Sequence, residues 1–350
     1  MKLTTIHPAP GEASLSTRLV KLIEAFATPR ITVVGDLIAD EFIYGRLDRV
    51  SREAPVLILQ YDSTEVTPGG AGNAAHNGAA LGGRADLVGL VGHDEMGRRL
   101  RASFPRRVVR RRLVRSPGYR TPTKTRILAG GIHSARQQVV RIDRAGVDIT
   151  RTLRDAVRDQ AVAAAAESDA VVISDYGSGL ITPALVAAVK RALPRRGRRA
   201  AAPVLLDSRY ALLRYRGLSI AAPNESEVEQ LLGVTIGDDG RALERAGREI
   251  LAQTRMQATL ITRGSRGMAL FEPDRPTQHI PIYGSDEVAD VTGAGDTVIA
   301  TMALAMSVGA SCAEAALLAN YAGGLVVMKR GTATVDASEL LQAVTTDLAP

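Results

Sequence analysis

Short runs of β-branched and aliphatic residues recur along this chain, and each run ends at a polar or charged residue. The first, at 31–34, is followed by Gly35 and Asp36. Further runs lie at 169–174, 203–206, 219–222 and 258–261, and segments with a helical period separate most of them, at 150–167, 182–194, 225–232 and 240–254. Continuous apolar runs of this length are typical of parallel strands that are covered on both faces. Their alternation with helices predicts an α/β chain with a doubly wound, mostly parallel sheet.

The residues that follow these runs are candidates for a binding site. Carboxylates stand there at Asp36, Asp175 and Asp207, and an amide side chain stands there at Asn224. Ligands of open α/β sheets bind at the carboxyl ends of the strands. The sequence therefore predicts a polar cleft along that edge of the sheet.

Two stretches interrupt the alternation, at 41–67 and 106–143. They contain extended runs and turn residues but no helical period, and the glycines at 130 and 131 predict a hairpin turn. Strands inserted between βα units predict a small β-sheet lid. The predicted organisation is an N-terminal tail and helix at 1–29, a main domain at 30–340 that carries both lid insertions, and a C-terminal tail at 341–350.

Composition excludes several classes of protein. The 350 residues include a single cysteine, Cys312, so no internal disulfide can form, which fits a reducing compartment and a cytoplasmic location. No run reaches about 18 apolar residues, so we expect no transmembrane helix. Leu15, Leu19, Leu22 and Phe26 recur at helical spacing among polar residues. This spacing predicts an amphipathic helix and not a signal peptide.

Much of the net charge of +7 is concentrated in arginines between residues 98 and 115. Three explanations are open: a patch for nucleic acid, an attraction for an anionic substrate, or a solvated helix face that continues into an edge strand. Arginine on an edge strand protects it from aggregation. The solvated face is the favoured explanation, and nucleic acid is the least favoured.

The segment Asp290–Asp296, with the sequence DVTGAGD, carries the strongest functional signal. Gly293 and Gly295 let backbone N–H groups converge at the start of an apolar helix, which favours a bound anion. Such an anion hole beside a carboxylate suits phosphoryl transfer, because Asp296 can accept a proton from the attacking hydroxyl. Asp296 could alternatively cap the helix, although a cap does not require two flanking glycines.

A second glycine-rich segment, TPGGAGNAA at 67–75, opens another helix. Gly69 and Gly70 permit a close approach of the backbone to a ligand, and Asn73 can both donate to and accept from hydroxyl groups. The alternative is a glycine-rich turn with Asn73 as a helix cap. No Lys-Ser or Lys-Thr pair follows the glycines, so this is not a Walker loop.

A third segment, PNESE at 223–227, begins a further helix. Asn224 and Glu227 have the spacing of a capping box, which is the favoured explanation from spacing alone. Alternatively, Glu227 could hold water molecules on Mg²⁺ near bound phosphates.

Together and in this order, these segments resemble the ribokinase-like (PfkB) family of carbohydrate kinases. The glycine-pair motif near the N-terminus and the DxTGAGD motif near the C-terminus are the two signatures of that family, and the likeness covers about residues 30–340. The resemblance implies a ribokinase-like three-layer fold with a lid. It also implies in-line transfer of the γ-phosphoryl group of ATP to a sugar hydroxyl, with closure of the lid to exclude water.

Within the family, the chain is most similar to the kinases that phosphorylate O1 of D-glycero-D-manno-heptose 7-phosphate. The shared segments are GDLIAD at 35–40, YG at 44–45, RVSREAP at 49–55, KTR at 124–126, QQ at 137–138, RID at 141–143, SDY at 174–176, RYRG at 214–217 and PNESE at 223–227. In many bacteria this kinase is fused to an adenylyltransferase, and the likeness here covers the kinase half. One departure is DSR at 207–209, where those kinases carry Asp-Pro-Lys.

The resemblance implies a role for each matched residue. Asp296 would be the catalytic base, and Gly293, Ala294 and Gly295 would supply the anion hole. The sugar phosphate would be bound by Asp36, Asp40, Gly69, Gly70, Asn73, Lys124, Arg126, Arg136 and Asp175. ATP would be bound by Asn224, Glu227, Thr262, Gly264, Gly267, Asn320 and Gly323. Glu227 would hold Mg²⁺ through water, and Asp290 and Thr292 resemble the family's loop for a monovalent cation such as K⁺.

The implied partners are a small sugar phosphate and ATP, with no membrane and no nucleic acid. A homodimer through the lid is expected, because an isolated small sheet leaves its edges and one face exposed. The histidines have no metal-ligand spacing. Two alternatives remain: another kinase of the family, acting on fructose, ribose, a hexose phosphate or a nucleoside, and a non-catalytic sugar or nucleotide sensor that binds nucleic acid.

Overall fold

The computed structural model describes residues 14–109, 112–130, 137–194, 201–284, 290–329 and 331–348. Its strands are β1 (Arg30–Gly35), β2 (Leu37–Val50), β3 (Leu57–Gly70), β4 (Arg84–Gly92), β5 (Val108–Val109), β6 (Leu113–Ser116), β7 (Thr123–Gly130), β8 (Gln137–Arg144), β9 (Ala170–Asp175), β10 (Val204–Ser208), β11 (Ile220–Ala221), β12 (Ala258–Thr262), β13 (Met268–Phe271) and β14 (Gln278–Ile280). Its α-helices are α1 (Leu15–Glu24), α2 (Ala71–Ala80), α3 (Glu95–Ser103), α4 (Arg151–Ala165), α5 (Pro183–Ala192), α6 (Glu225–Leu232), α7 (Gly240–Thr254), α8 (Ala294–Ser307), α9 (Cys312–Val327) and α10 (Ala337–Asp347).

The main sheet has the strand order β14-β13-β12-β11-β10-β9-β1-β4-β5, and β6 also pairs with β4. Its pairings are parallel except at β12–β13 and β13–β14. The chain runs from β1 to β4 on one side and later returns to β9 on the other side of β1. Such a reversal of strand order opens a crevice at the carboxyl ends of the strands. The prediction of a doubly wound, mostly parallel sheet is confirmed.

Helices cover both faces of this sheet. In β1, Ile31 and Val33 belong to the hydrophobic core formed with α1, α2, α8, α9 and α10, whereas Val34 belongs to the core formed with α4, α5, α6 and α7. Successive side chains of a strand point to opposite faces, so burial of both faces requires a continuous apolar run. This is the physical origin of the runs in the sequence, and the predicted three layers are confirmed.

A separate sheet of the order β3-β2-β7-β8 forms the lid. Its second insertion is smaller than predicted, because β5 and β6 pair with β4 of the main sheet and not with the lid. Val108 is buried at that position, so the apolar pair extends the main core. The glycine at 131, predicted to form the hairpin turn, lies outside the described residues.

Both ends of the described chain pack against the main domain. The predicted N-terminal helix is present as α1, and Leu19 and Leu22 are buried. Part of the predicted C-terminal tail is wrong: residues 341–347 belong to α10, where Leu340 and Val344 are fully buried. Residues 1–13, which precede α1, lie outside the described residues.

The arginine-rich segment lies on α3 and on the edge of the main sheet next to β5. Several of its guanidinium groups bond to neighbouring elements: Arg99 donates to the Thr64 carbonyl at 3.3 Å, and Arg112 donates to Glu167 at 2.9 Å. This placement agrees with the favoured explanation of a helix face continuing into an edge strand. In the part of the chain that the structure describes, no helix has the length and apolar character needed to cross a bilayer.

Candidate active site

The carboxyl ends of β1 and β9 meet where the strand order reverses, with Gly35 opposite Ser174. Asp36 follows directly, and its carboxylate accepts hydrogen bonds from the backbone N–H groups of Tyr176 at 2.8 Å and Ser178 at 3.3 Å, and from the Ser178 hydroxyl. Burial raises the pKa of Asp36, and these hydrogen bonds oppose the rise. Asp36 therefore fixes the loop after β9 at the carboxyl end of β1.

Asp296 lies in the first turn of α8 and is 3% exposed. It does not cap the helix, because its Oδ2 accepts from the side-chain amide of Asn73 at 2.8 Å and its Oδ1 accepts from the Tyr176 hydroxyl at 3.1 Å. Burial raises the pKa of Asp296 to about 7, while both hydrogen bonds lower it. A carboxylate with a pKa near neutrality suits a general base.

The start of α8 is open to an anion. No side chain caps this helix, so amide groups of its first turn remain for a ligand. A Cβ atom at Gly295 would meet no atom within 4 Å, which leaves room for a phosphoryl group beside Asp296. The helix start and the carboxylate together provide the arrangement that the sequence predicted.

The two glycine-rich segments contact each other through Asn73. This residue is fully buried, its Nδ2 also lies 3.4 Å from the Gly293 carbonyl, and its Oδ1 accepts from Asn77 at 3.0 Å. Thr297 in turn donates to Asn77 at 2.9 Å. The structure thus places Asn73 as a partner of Asp296, and its complete burial argues against the predicted contact with a sugar hydroxyl.

Two glycines are required for this contact between segments. Gly293 has φ +80°, and a Cβ atom there would lie 2.4 Å from Asn73 Nδ2. Gly70 has φ +57°, and its Cβ atom would lie 2.6 Å from the Asp36 carbonyl oxygen. Any larger residue at either position would separate α2 from α8 or from β1.

Tyr176 was not among the predicted site residues, yet it contacts three of them, Asp36, Lys124 and Asp296. Its backbone bonds to Asp36, its hydroxyl bonds to Asp296, and its ring lies 5.3 Å from Lys124 Nζ and 4.9 Å from the Arg209 guanidinium carbon. Burial and the nearby charge of Asp296 raise the pKa of Tyr176 well above its usual value, so it stays a donor. Its position after the β9 carboxylate was the available sequence signal.

The lid contributes charged groups at the base of its sheet. Arg126 on β7 pairs with Asp40 on β2 at 2.5 Å, and both side chains are largely buried. Gly69 pairs with Ile38 in the adjacent ladder, and a Cβ atom there would meet Asp40. The structure therefore brings Asp40, Gly69 and Arg126 together, whereas Arg136 lies outside the described residues.

Asp175 joins two loops. Its Oδ1 accepts from the Gly177 N–H at 3.1 Å, and its Oδ2 accepts from the hydroxyls of Ser208 at 3.0 Å and Tyr215 at 2.8 Å. With these protein donors and 4% exposure, Asp175 positions the loops after β9 and β10. This engagement argues against the predicted direct contact with substrate.

Asn224 and Glu227 form the capping box expected from their spacing. The Asn224 N–H donates to Glu227 at 2.9 Å, and the Glu227 N–H donates to the Asn224 side chain at 2.9 Å. Asn224 also bridges to Thr262, which extends the polar edge to β12. Burial raises the pKa of Glu227, while its bonds to Asn224 lower it. The cap leaves the second carboxylate oxygen of Glu227 for another ligand.

Asp207 lies close enough to both Asp296 and Glu227 for their charges to interact. Burial raises its pKa well above the usual value, and the negative charges of Asp296 and Glu227 add to the rise. Arg209 opposes it and lies 3.9 Å from Glu227. Three carboxylates that repel one another would be relieved by a cation, so the local charge fits Mg²⁺ carried by a nucleotide.

The other residues predicted to bind the nucleotide lie after β12 and on α9. Gly264 begins a 3₁₀ turn after β12, and Gly267 ends it, where a Cβ atom would lie 2.1 Å from the Ile280 carbonyl. Asn320 on α9 donates to the Pro281 carbonyl at 2.9 Å. On the same helix, Gly323 packs against Val298 of α8. These contacts place α8 and α9 next to the antiparallel strands β12, β13 and β14.

Asp290 holds the loop before α8. Its carboxylate accepts from the backbone N–H groups of Thr292 at 2.8 Å and Gly331 at 3.1 Å. Within the described ranges, no group of three or more His, Cys, Asp or Glu side chains is placed to hold a metal ion. A monovalent cation at this loop would therefore need backbone carbonyl ligands in addition to Asp290.

Comparisons with known proteins identify the family of this chain. A family model described as pfkB family carbohydrate kinase matches residues 29–339. The chain is 42% identical over 330 residues to a protein of Caulobacter vibrioides named "Bifunctional protein HldE", covering 92% of this chain and 65% of that protein. A protein of the same name from Methylococcus capsulatus is 39% identical over 331 residues, covering 94% and 67%. The chain thus spans about two thirds of the length of these relatives, and slightly less in the first.

Solved structures share the fold. The Arabidopsis thaliana ribokinase complexed with ribose and ATP has a TM-score of 0.67 at 23% identity, covering 90% of this chain and 98% of that chain. The Escherichia coli phosphofructokinase-2 in complex with substrates and products has a TM-score of 0.71 at 17% identity, covering 91% and 99%. At these identities the likeness concerns the fold alone.

Proposed function

This chain belongs to the PfkB family of carbohydrate kinases, and we propose that it transfers the γ-phosphoryl group of ATP to O1 of D-glycero-D-manno-heptose 7-phosphate. The observation that carries the chemistry is the buried Asp296 carboxylate beside the uncapped start of α8. The likeness to the HldE proteins supports the substrate, and for the Caulobacter vibrioides protein it covers 92% of this chain.

In the proposed mechanism, Asp296 accepts the proton of the sugar hydroxyl as its oxygen attacks the γ-phosphorus. The bond between that phosphorus and the bridging oxygen breaks, and ADP leaves with the electron pair. The amides of Gly295 and its neighbours at the start of α8 stabilise the charge on the migrating group. Asn73 and Tyr176 hold the Asp296 carboxylate in place through their hydrogen bonds.

Mg²⁺ would supply charge neutralisation for the nucleotide phosphates. Glu227 would hold its water molecules, because one carboxylate oxygen caps α6 through the Asn224 N–H, while the other lies 3.9 Å from Arg209 and is not used by the cap. Asp207 lies close enough to Glu227 for their charges to interact, and a cation there would favour the ionised form of both carboxyl groups. Asp290 and Thr292 are proposed for a monovalent cation, and Thr262, Gly264, Gly267, Asn320 and Gly323 for the nucleotide.

We also propose a homodimer through the lid sheet. Apolar side chains of the lid that remain well exposed are Leu47, Val50, Leu57, Tyr61, Val139, Val140 and Ile142. A cluster of this kind on one small sheet is typical of a protein interface. A second copy of the same sheet would cover it with the same residues, as two-fold symmetry requires.

A panel of acceptors in an ATP-consumption assay tests the function. We expect turnover with heptose 7-phosphate and a phosphorus NMR signal for an anomeric phosphate in the product. Turnover of fructose or ribose without turnover of heptose 7-phosphate would contradict the proposed acceptor sugar but not the proposed kinase activity. ATP hydrolysis or binding with no phosphorylated sugar in any reaction would contradict the proposed chemistry.

A further inference from the structure

Tyr176 connects Asp296 to two cations. Its hydroxyl donates to Asp296 at 3.1 Å, while Lys124 Nζ and the Arg209 guanidinium carbon lie 5.3 Å and 4.9 Å from the centre of its ring. Cations within about 6 Å of an aromatic ring are attracted to its face. The ring therefore fixes where both positive charges lie relative to the proposed base.

The two cations come from different parts of the fold. Lys124 is on β7 of the lid sheet, and Arg209 follows β10 of the main sheet. The backbone N–H of Arg209 is held by the Asp175 carbonyl at 3.1 Å, next to Tyr176 in the chain. An anion that contacts both side chains would therefore join the lid to the main domain.

These cations lack the close carboxylate that a neighbouring cation has. Arg126 pairs with Asp40 at 2.5 Å, but within the described ranges Lys124 forms no ion pair, and Arg209 comes no nearer to a carboxylate than the 3.9 Å to Glu227. Burial and the positive charge of Arg209 both lower the pKa of Lys124. Two partly desolvated like charges are unfavourable until an anion joins them.

We propose that Lys124 and Arg209 form the site for the phosphate monoester already present on the acceptor sugar, and that Tyr176 positions this site relative to Asp296. The inference rests on the proposed function. It differs from the prediction for Arg126, whose guanidinium is already paired with Asp40. A phosphate held by an ammonium and a guanidinium makes strong, charge-assisted hydrogen bonds. A neutral sugar would leave the two positive charges without a bound anion, so the site selects phosphorylated sugars.

ATP is a second source of phosphate groups, because Arg209 lies near Glu227 on the nucleotide side. The acceptor is favoured because Lys124 belongs to the lid strand that also carries Arg126, paired with Asp40. Both sources share one chemistry, and the experiment must therefore measure the sugar and the nucleotide separately.

The test uses Lys124→Met and Arg209→Met, which remove one charge each and keep most of the apolar stem. Calorimetry without nucleotide measures binding of heptose 7-phosphate, and a second titration measures binding of ADP with Mg²⁺. We expect each variant to weaken sugar-phosphate binding by about 10- to 100-fold, with ADP binding changed by less than about threefold. Arg141→Met is the matched control, because Arg141 lies on β8 and already pairs with Asp143 at 2.7 Å.

The positioning role of Tyr176 is tested by a pair of substitutions. Tyr176→Phe keeps the ring, so binding of heptose 7-phosphate should stay within about threefold while kcat falls. Tyr176→Leu removes the ring, so binding of heptose 7-phosphate should weaken as in the cation variants. Adding Lys124→Met to Tyr176→Leu should then weaken binding by a smaller factor than Lys124→Met does in the wild-type protein.

Three outcomes would overturn this inference and leave the kinase itself standing. They are loss of ADP binding in place of sugar binding, equal weakening in Arg141→Met, and equal affinity for the sugar with and without its phosphate. Failure of the proposed function is distinguishable, because the wild-type protein would then phosphorylate no sugar in the acceptor panel.

Discussion

The side-chain amide of Asn73 donates a 2.8 Å hydrogen bond to the carboxylate of Asp296, across 223 residues of sequence. The bond joins the first turn of α2 to the first turn of α8, and it is extended by Asn77, which donates to Asn73 Oδ1 at 3.0 Å. Buried polar groups that are fully hydrogen-bonded specify a single arrangement. The two glycine-rich segments thus act as one unit, in which α2 orients the carboxylate that α8 carries.

Replacing the proposed base tests the chemistry directly. Asp296→Asn keeps the shape of the side chain but cannot accept a proton from the sugar hydroxyl. We expect kcat to fall by about 10²- to 10⁴-fold, the usual contribution of a general base, with little change in the Kd for ATP. Rapid-quench kinetics and nucleotide titration measure the two quantities. Full activity in this variant would exclude Asp296 as the base.

The pH dependence of the reaction should report the same carboxylate. Because Asp296 must be deprotonated to act, and its pKa is raised to about 7, kcat/KM for the sugar should rise with pH and level off above neutrality. Asn73, Tyr176 and Arg209 favour the charged form, whereas Asp40 and Asp207 oppose it.

Removing one donor should shift this profile in a known direction. Tyr176→Phe deletes a hydrogen bond that lowers the pKa of Asp296, so the rising limb should move to higher pH by about one unit. Tyr210→Phe is the matched control, because Tyr210 is 59% exposed and should leave the limb in place. If the rising limb does not move in Tyr176→Phe, the Tyr176 hydroxyl does not lower the pKa of Asp296.

Local signals in the sequence identified most of the fold and part of the site. The capping box of Asn224 and Glu227 and the apolar runs depend on residues that are close in the chain. The assignment of 106–143 to the lid failed at β5 and β6, because which sheet a short apolar pair joins depends on its neighbours in space.

The site showed the same division. The motif around Asp296 was found from its glycines, but Tyr176 was missed because its hydroxyl meets Asp296 across 120 residues. Asn73 was predicted to contact a sugar hydroxyl, whereas its hydrogen bond to Asp296 is a contact that only the tertiary structure creates. The departure from related kinases at Ser208 and Arg209 was noted, but the charge environment of the neighbouring Asp207 depends on Asp296 and Glu227, which are distant in the sequence.

Asp296, the proposed base, should also lower the free energy of unfolding of the unliganded protein when it is ionised. The folded-state pKa of Asp296 is raised from 3.8 to about 7, so the folded state binds more protons than the unfolded state between these values. The free energy of unfolding therefore decreases as pH rises through that window, by at most about 4 kcal/mol. Asp296→Asn should unfold at higher temperature than the wild type at pH 8, with a smaller difference at pH 5. A difference that grows at low pH would contradict this sign.

The lid interface can be tested without reference to catalysis. Val140 on β8 is 46% exposed, and in a dimer formed through the lid its substitution by aspartate would bury a charge at the interface. We expect sedimentation equilibrium to give twice the chain mass for the wild type and the single-chain mass for Val140→Asp, since an unpaired buried charge costs several kcal/mol. Val234→Asp is the matched control, because Val234 is 39% exposed and lies after α6, away from the lid. A wild-type protein that stays monomeric at all concentrations would contradict the proposed homodimer through the lid sheet.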